Sequence, residues 1–167
     1  MLSLSTFRSA VADFISPENR NRRNELERLI NVDPLTGLAN RRAFELALPA
    51  AEADPDTVVI MFDANNFGLL NKLCGHQFGD VVLRDMAGTI LTAAEVFGVR
   101  GRCFRLGGDE FVVLCPASIA GRLRDQIETS FGVRYPAVGV ALVGTIGATQ
   151  ALADEALQAR KAARKAA

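Results

Sequence analysis

The sequence predicts an α/β fold in which helices flank a mixed central β-sheet. Residues 57–63 form a continuous apolar, β-branched run, which is typical of a strand buried on both faces. Two short apolar segments at residues 102–106 and 111–115 are separated by two glycines and two acids, a pattern that predicts a β-hairpin. Because other strands alternate with helices, the sheet is expected to contain both parallel and antiparallel pairs.

Residues 1–31 predict two short helices ahead of this domain. Apolar residues recur at helical spacing over residues 4–15. The Ser-Pro-Glu sequence at residues 16–18 then suits the N-cap and first turn of a second helix. Turn-forming residues follow at 31–37, so we divide the chain into an N-terminal helical segment (1–31) and a domain (32–167). We expect the helical segment to serve packing or dimer formation, because it is too short for a sensor domain.

The domain itself predicts five helices and one more strand. Asn40 is suited to cap a helix that ends near Leu48. Apolar residues at helical spacing predict the other helices, at residues 66–73, 78–97, 117–130 and 147–165. A further apolar stretch at residues 135–143 predicts the additional strand.

The composition is that of a folded domain without bulk charge. Of 167 residues 49% are hydrophobic, and 19 Lys and Arg balance 19 Asp and Glu. Zero net charge argues against nucleic-acid binding by bulk phosphate attraction. The apolar runs are too short to span a bilayer and the N-terminus lacks a signal-peptide pattern, so we expect no membrane segment and a cytoplasmic location. Three cysteines without Cys-x-x-Cys spacing indicate reduced thiols and no zinc site.

Three acidic residues are predicted to lie at one edge of the sheet. Asp63 ends the buried strand, and Asp109 and Glu110 lie at the tip of the hairpin. If these strands are neighbours, the carboxylates repel one another unless a cation lies between them. Mg²⁺ prefers such oxygen ligands and completes its shell with waters and substrate phosphates. The alternative is that Asp109 and Glu110 are only turn residues.

Several other polar positions have a functional and a structural interpretation. Gly107 and Gly108 permit positive φ and the close approach of a ligand, although most Gly-Gly pairs are simply turns. Asp80, at a predicted helix start, either accepts hydrogen bonds from a guanine base or serves as an N-cap. Lys161 and Lys165 share one face of the last helix, where they form either a phosphate clamp or a solvated basic face.

Three motifs together resemble the GGDEF family of diguanylate cyclases. The first is Asp-x-Leu-Thr-Gly-Leu-x-Asn-Arg-Arg-x-Phe at residues 33–44. The second is Asp-x3-Phe-x3-Asn-x3-Gly-His-x2-Gly-Asp at residues 63–80, and the third is Arg-Leu-Gly-Gly-Asp-Glu-Phe at residues 105–111. Their order and spacing resemble the family from residue 33 nearly to the C-terminus.

The resemblance implies a fold and a reaction. The fold is the palm-like domain of nucleotidyl cyclases, with a ferredoxin-like core. In the reaction, two GTP molecules condense to cyclic di-GMP and release two pyrophosphates. The resemblance also implies Mg²⁺ as cofactor, with Mn²⁺ as an alternative, and a homodimer in which each domain holds one GTP.

Residue roles follow from the resemblance by position. The implied metal ligands are Asp63, the Ala64 carbonyl, Asp109 and Glu110. The implied catalytic residues are Asp109, which activates the attacking 3′-hydroxyl, and Glu110. Asn71 and Asp80 match the guanine-reading positions. The full set of implied substrate-binding residues is Asn66, Phe67, Gly68, Asn71, His76, Asp80, Arg105, Gly107, Gly108, Lys161 and Lys165.

The chain departs from the family pattern at a few positions. Gly68 stands where the family usually has a lysine that stabilises phosphate charge, and Arg105 is a candidate replacement for it. Lys72 stands where an aspartate is frequent. The Arg-x-x-Asp motif of product inhibition is absent at residues 98–101, so we expect no inhibition through that site. These departures support an alternative function, a weak or inactive GGDEF domain that binds GTP as a signalling module.

Overall fold

The structure, a computed structural model, describes residues 17–135 and 139–166. Within these ranges the chain forms five strands and six α-helices. The strands are β1 (Ala39–Asn40), β2 (Thr57–Ala64), β3 (Cys103–Gly107), β4 (Glu110–Pro116) and β5 (Leu142–Gly147). The helices are α1 (Pro17–Asn31), α2 (Arg41–Glu52), α3 (Phe67–Cys74), α4 (His76–Val96), α5 (Ala117–Gly132) and α6 (Gln150–Ala166), with a 3₁₀ turn at Arg100–Arg102.

The five strands form one mixed sheet, which confirms the predicted fold class. Their order is β1-β3-β4-β2-β5. The β1–β3 pair is parallel, whereas β3–β4, β4–β2 and β2–β5 are antiparallel. Strands β3 and β4 form the predicted hairpin, and β2 is hydrogen-bonded on both sides. The continuous apolar run of β2 is explained by this central position, because helices cover both of its faces.

Helices pack on both faces of the sheet and enclose two hydrophobic clusters. On one face, α3, α4 and α5 contribute residues such as Leu70, Met86 and Ile127. On the other face, α2 and α6 contribute Phe44 and Leu157. These side chains are at most 1% exposed, so the sheet is the middle layer of an α/β sandwich.

The last strand and helix begin later than the sequence predicts. Residue 135 and residues 139–141 lie outside any strand, and β5 begins at Leu142. The predicted strand at 135–143 is therefore misplaced, and the helix predicted from Gly147 begins at Gln150. The actual strand contains Gly144, where a Cβ would lie 2.5 Å from the Phe62 ring. Tight packing against β2 thus leaves room only for glycine at this position of the strand.

The N-terminal part of the domain contains the predicted helix, which is longer than expected, and the short strand β1, which the sequence did not predict. The Asn40 side chain accepts a hydrogen bond from the Ala43 N–H (3.1 Å) and caps α2. The helix then continues past Leu48, through Pro49, to Glu52. Helix α1 confirms the second predicted N-terminal helix, whereas the helix predicted over residues 4–15 lies outside the described residues. In the described ranges, no helix is long and apolar enough to cross a membrane.

Candidate functional site

The acidic residues predicted to form a site come from the ends of two neighbouring strands. Phe62 on β2 lies opposite Phe111 on β4. Because the pair is antiparallel, Asp63 follows Phe62 at the same edge of the sheet where Glu110 precedes Phe111. Asp109, in the turn between β3 and β4, lies directly before this edge. The topology thus brings Asp63 close to two acids that lie far from it in the sequence.

Two of these carboxylates share a partly buried environment with one lysine. Asp63 is only 6% exposed, and its Oδ2 lies 2.6 Å from Lys161 Nζ on α6. Burial raises the pKa of Asp109, and the neighbouring charge of Asp63 raises it further. Lys161 opposes this rise, because its positive charge favours the ionised carboxylate. In the described chain, Lys161 therefore supplies the cation that two adjacent carboxylates require.

The third acid points toward a different partner. Glu110 is 3.8 Å from Arg41 on α2, and its charge has the smallest of the effects on the pKa of Asp109. Arg41 also donates a hydrogen bond to the Leu106 carbonyl (3.0 Å). Of the three predicted carboxylates, Asp63 has the larger electrostatic effect on Asp109, whereas Glu110 lies near Arg41.

This donor set fits a hard divalent cation in part. Among the described residues, no three His, Cys, Asp or Glu side chains form a group that can hold a metal alone. Asp63 and Asp109 nevertheless offer two carboxylates whose mutual repulsion a cation would relieve. Mg²⁺ usually takes one or two protein carboxylates and fills its remaining positions with water and phosphate oxygens. The pair therefore fits Mg²⁺ bound together with a phosphate ligand.

A helix N-terminus lies two residues beyond β2. Asn66 adopts a left-handed conformation (φ 61°), and its side chain donates a hydrogen bond to the Gly139 carbonyl (3.1 Å). The first bond of the helix runs from the Leu70 N–H to the Asn66 carbonyl (2.9 Å). The N–H groups of Phe67 and Gly68 therefore have no partner within α3, which makes this turn suited to bind an anion. A Cβ at Gly68 would meet nothing within 4 Å, so close packing does not require glycine there.

The predicted guanine-reading residues lie where α3 meets α4. The Asn71 Oδ1 is buried and has no hydrogen-bond partner within the described residues. It packs against Gly79, where a Cβ would overlap it. An unpartnered buried acceptor is costly, and a ligand N–H would satisfy it.

Asp80 and His76 lie near this acceptor on the first turns of α4. The helix begins at His76 after an N-cap at Gly75, so Asp80 lies one turn inside the helix. The N-cap interpretation of Asp80 is therefore wrong. Residues 76 and 80 are four apart and share a helix face.

Arg105 supports the hairpin tip from beneath. Its guanidinium donates to the Gly108 carbonyl through two nitrogens (3.0 and 2.7 Å) and pairs with Asp33 Oδ1 (2.9 Å). Thr36 also donates its hydroxyl and its N–H to Asp33 (2.6 and 3.0 Å). Burial alone would raise the pKa of Asp33, but the hydrogen bonds from Thr36 and Arg105 outweigh it and lower the pKa. With Arg105 only 11% exposed, these contacts favour a supporting role over the phosphate contact expected from the sequence.

The turn that Arg105 supports requires its two glycines. Gly107 and Gly108 have φ values of 147° and 51°, in the region that L-residues with side chains rarely adopt. The register of the hairpin shifts between Arg105 and Gly107. This irregular turn places Asp109 beside Asp63.

The two predicted lysines differ in what the structure describes. Lys161 contacts Asp63, as given above, whereas the side chain of Lys165 lies outside the described residues. Sequence reasoning missed the contributions of Arg41 and Asp33, although both lie in the motif at residues 33–44. The signal available in the sequence was the placement of these charged residues at irregular intervals in that motif.

Comparisons with known proteins support one family. The sequence profile described as "Diguanylate cyclase, GGDEF domain" matches residues 30–166. The chain is 40% identical over 86 residues to diguanylate cyclase DgcN of Escherichia coli, covering 49% of this chain and 20% of DgcN. It is also 41% identical over 100 residues to the E. coli cyclic di-GMP phosphodiesterase PdeR, covering 58% of this chain and 15% of PdeR. The chain thus spans a fifth or less of these two relatives.

A solved structure resembles almost the whole chain. The coiled coil and GGDEF domain of DgcB from Caulobacter crescentus, crystallised with c-di-GMP, superposes with a TM-score of 0.74. The two chains are 25% identical, and the match covers 95% of each.

Proposed function

This chain belongs to the GGDEF-domain family, and we propose that it is a diguanylate cyclase that converts two GTP molecules into cyclic di-GMP and two pyrophosphates. The observation that carries this proposal is the Asp63–Asp109 pair at the sheet edge, with Lys161 in contact with Asp63. The pair lies near a helix N-terminus suited to phosphate and a buried acceptor suited to a base. The similarity to the cyclase DgcN supports the same conclusion.

The proposed reaction joins two nucleotides through their ribose and phosphate groups. The 3′-oxygen of one GTP forms a bond to the α-phosphorus of the other, and the bond between the α- and β-phosphates breaks. Asp109 accepts the proton of the 3′-hydroxyl, and pyrophosphate leaves. The same step with the roles of the two nucleotides exchanged forms the second bond, releases the second pyrophosphate and closes the ring. Such phosphoryl transfer depends chiefly on positioning and charge neutralisation.

Each protein group has a distinct task in this proposal. Asp63 and Asp109 would hold Mg²⁺, with Glu110 and the Ala64 carbonyl beside them. The ion would neutralise phosphate charge and orient the reacting oxygens. The free N–H groups at the start of α3 bind phosphate oxygens, together with Lys161 and Lys165.

Base recognition rests on the junction of α3 and α4. The buried Asn71 Oδ1 accepts a hydrogen bond from guanine, and Asp80 accepts from its N1 and N2 groups. His76 lies on the same face as Asp80 and contacts the nucleotide. Because adenine lacks this pair of adjacent donors, the arrangement favours GTP.

A dimer is part of the proposal, because each domain holds one of the two GTP molecules. Leu26 and Leu29 on α1 are 54% and 65% exposed and are candidates for dimer contacts. Phe7, Val11 and Phe14, which the sequence also offers as candidates for dimer contacts, lie outside the described residues. We place the reaction in the cytoplasm, where GTP is available.

A second candidate is a domain that binds GTP without chemistry and signals through a partner. Gly68 favours it, because the start of α3 lacks the lysine usual in the family. Loss of one charge-assisted hydrogen bond costs about 1.5–3 kcal/mol, or roughly ten- to a hundredfold in rate if it acts only in the transition state. The similarity to PdeR, a protein named as a phosphodiesterase, is compatible with this candidate.

Product analysis separates the two candidates. Purified protein is incubated with GTP and Mg²⁺, and products are identified by chromatography with mass detection. The variant Asp109→Ala is compared with Asp125→Ala, which removes an exposed carboxylate that pairs only with the adjacent Arg124 within the described chain. Cyclic di-GMP from the wild type and Asp125→Ala, but not from Asp109→Ala, supports the cyclase.

The absence of product at high protein concentration would contradict the cyclase. Retained GTP binding under those conditions would favour the signalling module. Gly68→Lys then asks whether the missing lysine is responsible, since a Cβ at this position meets no neighbouring atom.

A further inference from the structure

A three-residue clamp joins α5, β5 and α6 at the outer edge of the sheet. Arg160 on α6 donates a hydrogen bond to the Gly144 carbonyl (2.5 Å) and lies 3.3 Å from Glu128 on α5. The Glu128 Oε1 in turn accepts a hydrogen bond from the Gly144 N–H (2.6 Å). Two side chains from different helices thus satisfy both backbone groups of one strand residue.

The position of Gly144 explains why these groups are available. Among the described strands β5 is the last in the sheet, so one of its edges has no neighbouring strand within residues 17–135 and 139–166. Gly144 lies opposite Phe62 on β2. A Cβ at this position would lie 2.5 Å from the Phe62 ring and 2.8 Å from the Arg124 Cγ, so glycine is required at this position of β5.

The clamp holds the half of α6 that carries Lys161. The earlier part of the helix is fixed separately, because the Thr145 hydroxyl donates to the Ala153 carbonyl (2.7 Å). Arg160 fixes the later part to the adjacent strand residue, Gly144. Lys161 follows Arg160 directly and reaches across β5 to Asp63, which lies beside Phe62 in β2.

We propose that Arg160 is a positioning residue that directs Lys161 into the phosphate and metal site. This inference rests on the proposed function, in which Lys161 contacts the phosphates of GTP. Arg160 itself bonds to the outer edge of β5 and to Glu128, and it acts through Lys161. Its side chain is 47% exposed and that of Glu128 is 25% exposed, so the ion pair adds little to global stability. The ion pair instead fixes the orientation of α6.

The proposal predicts that the effects of Arg160 and Lys161 are not additive. We would compare Arg160→Met, Lys161→Met and the double variant by kcat and KM for cyclic di-GMP formation. Binding of a GTP analogue with a methylene bridge between its α- and β-phosphates would be measured in parallel. Arg160→Met is expected to lower kcat/KM about five- to tenfold, because a small misplacement of a charged group is costly in such a site. In the Lys161→Met background the same change is expected to have less than about a twofold effect.

Two further variants separate positioning from a merely structural role. Arg160→Lys keeps one donor and the charge, so it should recover part of the loss. Arg100→Met breaks a comparable exposed ion pair with Glu95, far along the chain from α6, and should leave both kinetics and binding unchanged. Equal losses from Arg160→Met in the wild-type and Lys161→Met backgrounds would overturn the proposal.

A measurement on the nucleotide-free protein tests the positioning role of Arg160 independently of the proposed function. The same double-mutant cycle is measured by denaturant unfolding of the free protein, where Arg160 supports the Lys161–Asp63 contact. Coupling in unfolding together with no analogue binding would retain the positioning role and contradict the proposed function. If the wild type is an active cyclase but the two substitutions have additive effects on both the free energy of unfolding and kcat/KM, the proposed function would be retained and the positioning role contradicted.

Discussion

Gly79 is the position where a single methyl group tests the nucleotide site. It lies in the first turns of α4, and a Cβ there would overlap the Asn71 Oδ1 and lie 3.1 Å from the Asn71 Cγ. The ring of Phe67 would be 3.3 Å away. Gly79→Ala must therefore displace the Asn71 side chain, which is the buried acceptor assigned to guanine.

The cost of this displacement to folding is small. The clashing atom is the end of a side chain that can rotate, and its oxygen has no hydrogen-bond partner to lose within the described residues. Alanine is better than glycine inside a helix by about 0.5–1 kcal/mol. We expect the free protein to be as stable as the wild type or slightly more so. Nucleotide binding, in contrast, loses a buried hydrogen bond worth about 1–3 kcal/mol, which is roughly a fivefold to hundredfold rise in Kd.

The matched control is Gly88→Ala, in the same helix. Gly88 is exposed and a Cβ there meets nothing within 4 Å, so only the helix propensity changes. Thermal unfolding and titration with the uncleavable GTP analogue are measured for both variants. Gly79→Ala should bind the nucleotide more weakly than Gly88→Ala at similar stability. Equal affinities for the two variants would refute the assignment of Asn71 as a guanine acceptor.

Three further predictions concern the charges of the site. Lys161→Met leaves the buried Asp63 carboxylate beside Asp109 without its cation, so it should destabilise the free protein by about 1–3 kcal/mol. Added Mg²⁺ or Mn²⁺ should raise the melting temperature of this variant more than it raises that of the wild type. Arg105→Met should cost about 2–3 kcal/mol in denaturant unfolding, because Asp33 and the hairpin turn lose their shared partner. Hydrogen bonds hold the pKa of Asp33 below its usual 3.8 in the folded protein. The ionised Asp33 therefore stabilises the folded protein above that pH, and this contribution is lost as the pH falls below it. The free energy of unfolding should therefore fall more for the wild type than for Arg105→Met between about pH 5 and 2. Asp80→Ser should reduce the preference for GTP over ATP in competition binding, and an unchanged preference would remove Asp80 from base recognition.

Much of the fold was predictable because local patterns report it. The burial of β2 follows from its unbroken apolar run, and the β3–β4 hairpin follows from two apolar segments around a Gly-Gly turn. The strand at residues 135–143 was misplaced for a physical reason. Propensity favours apolar residues, whereas the position of β5 is set by its pairing with β2, where Gly144 lies opposite Phe62, a residue distant in sequence.

Periodicity, turn chemistry and motif spacing are local properties of the chain, and they predicted most of the elements, the family and the candidate residues. Which charges meet depends instead on the folded arrangement of the chain. The Lys161–Asp63 contact joins residues 98 positions apart, and the Arg105–Asp33 pair joins residues 72 apart. Such pairs depend on the order of the strands and on how each helix packs across them, which many side chains fix together. For the same reason the sequence left Arg105 as a candidate phosphate contact, whereas the folded chain directs its guanidinium to Asp33 and to the hairpin turn.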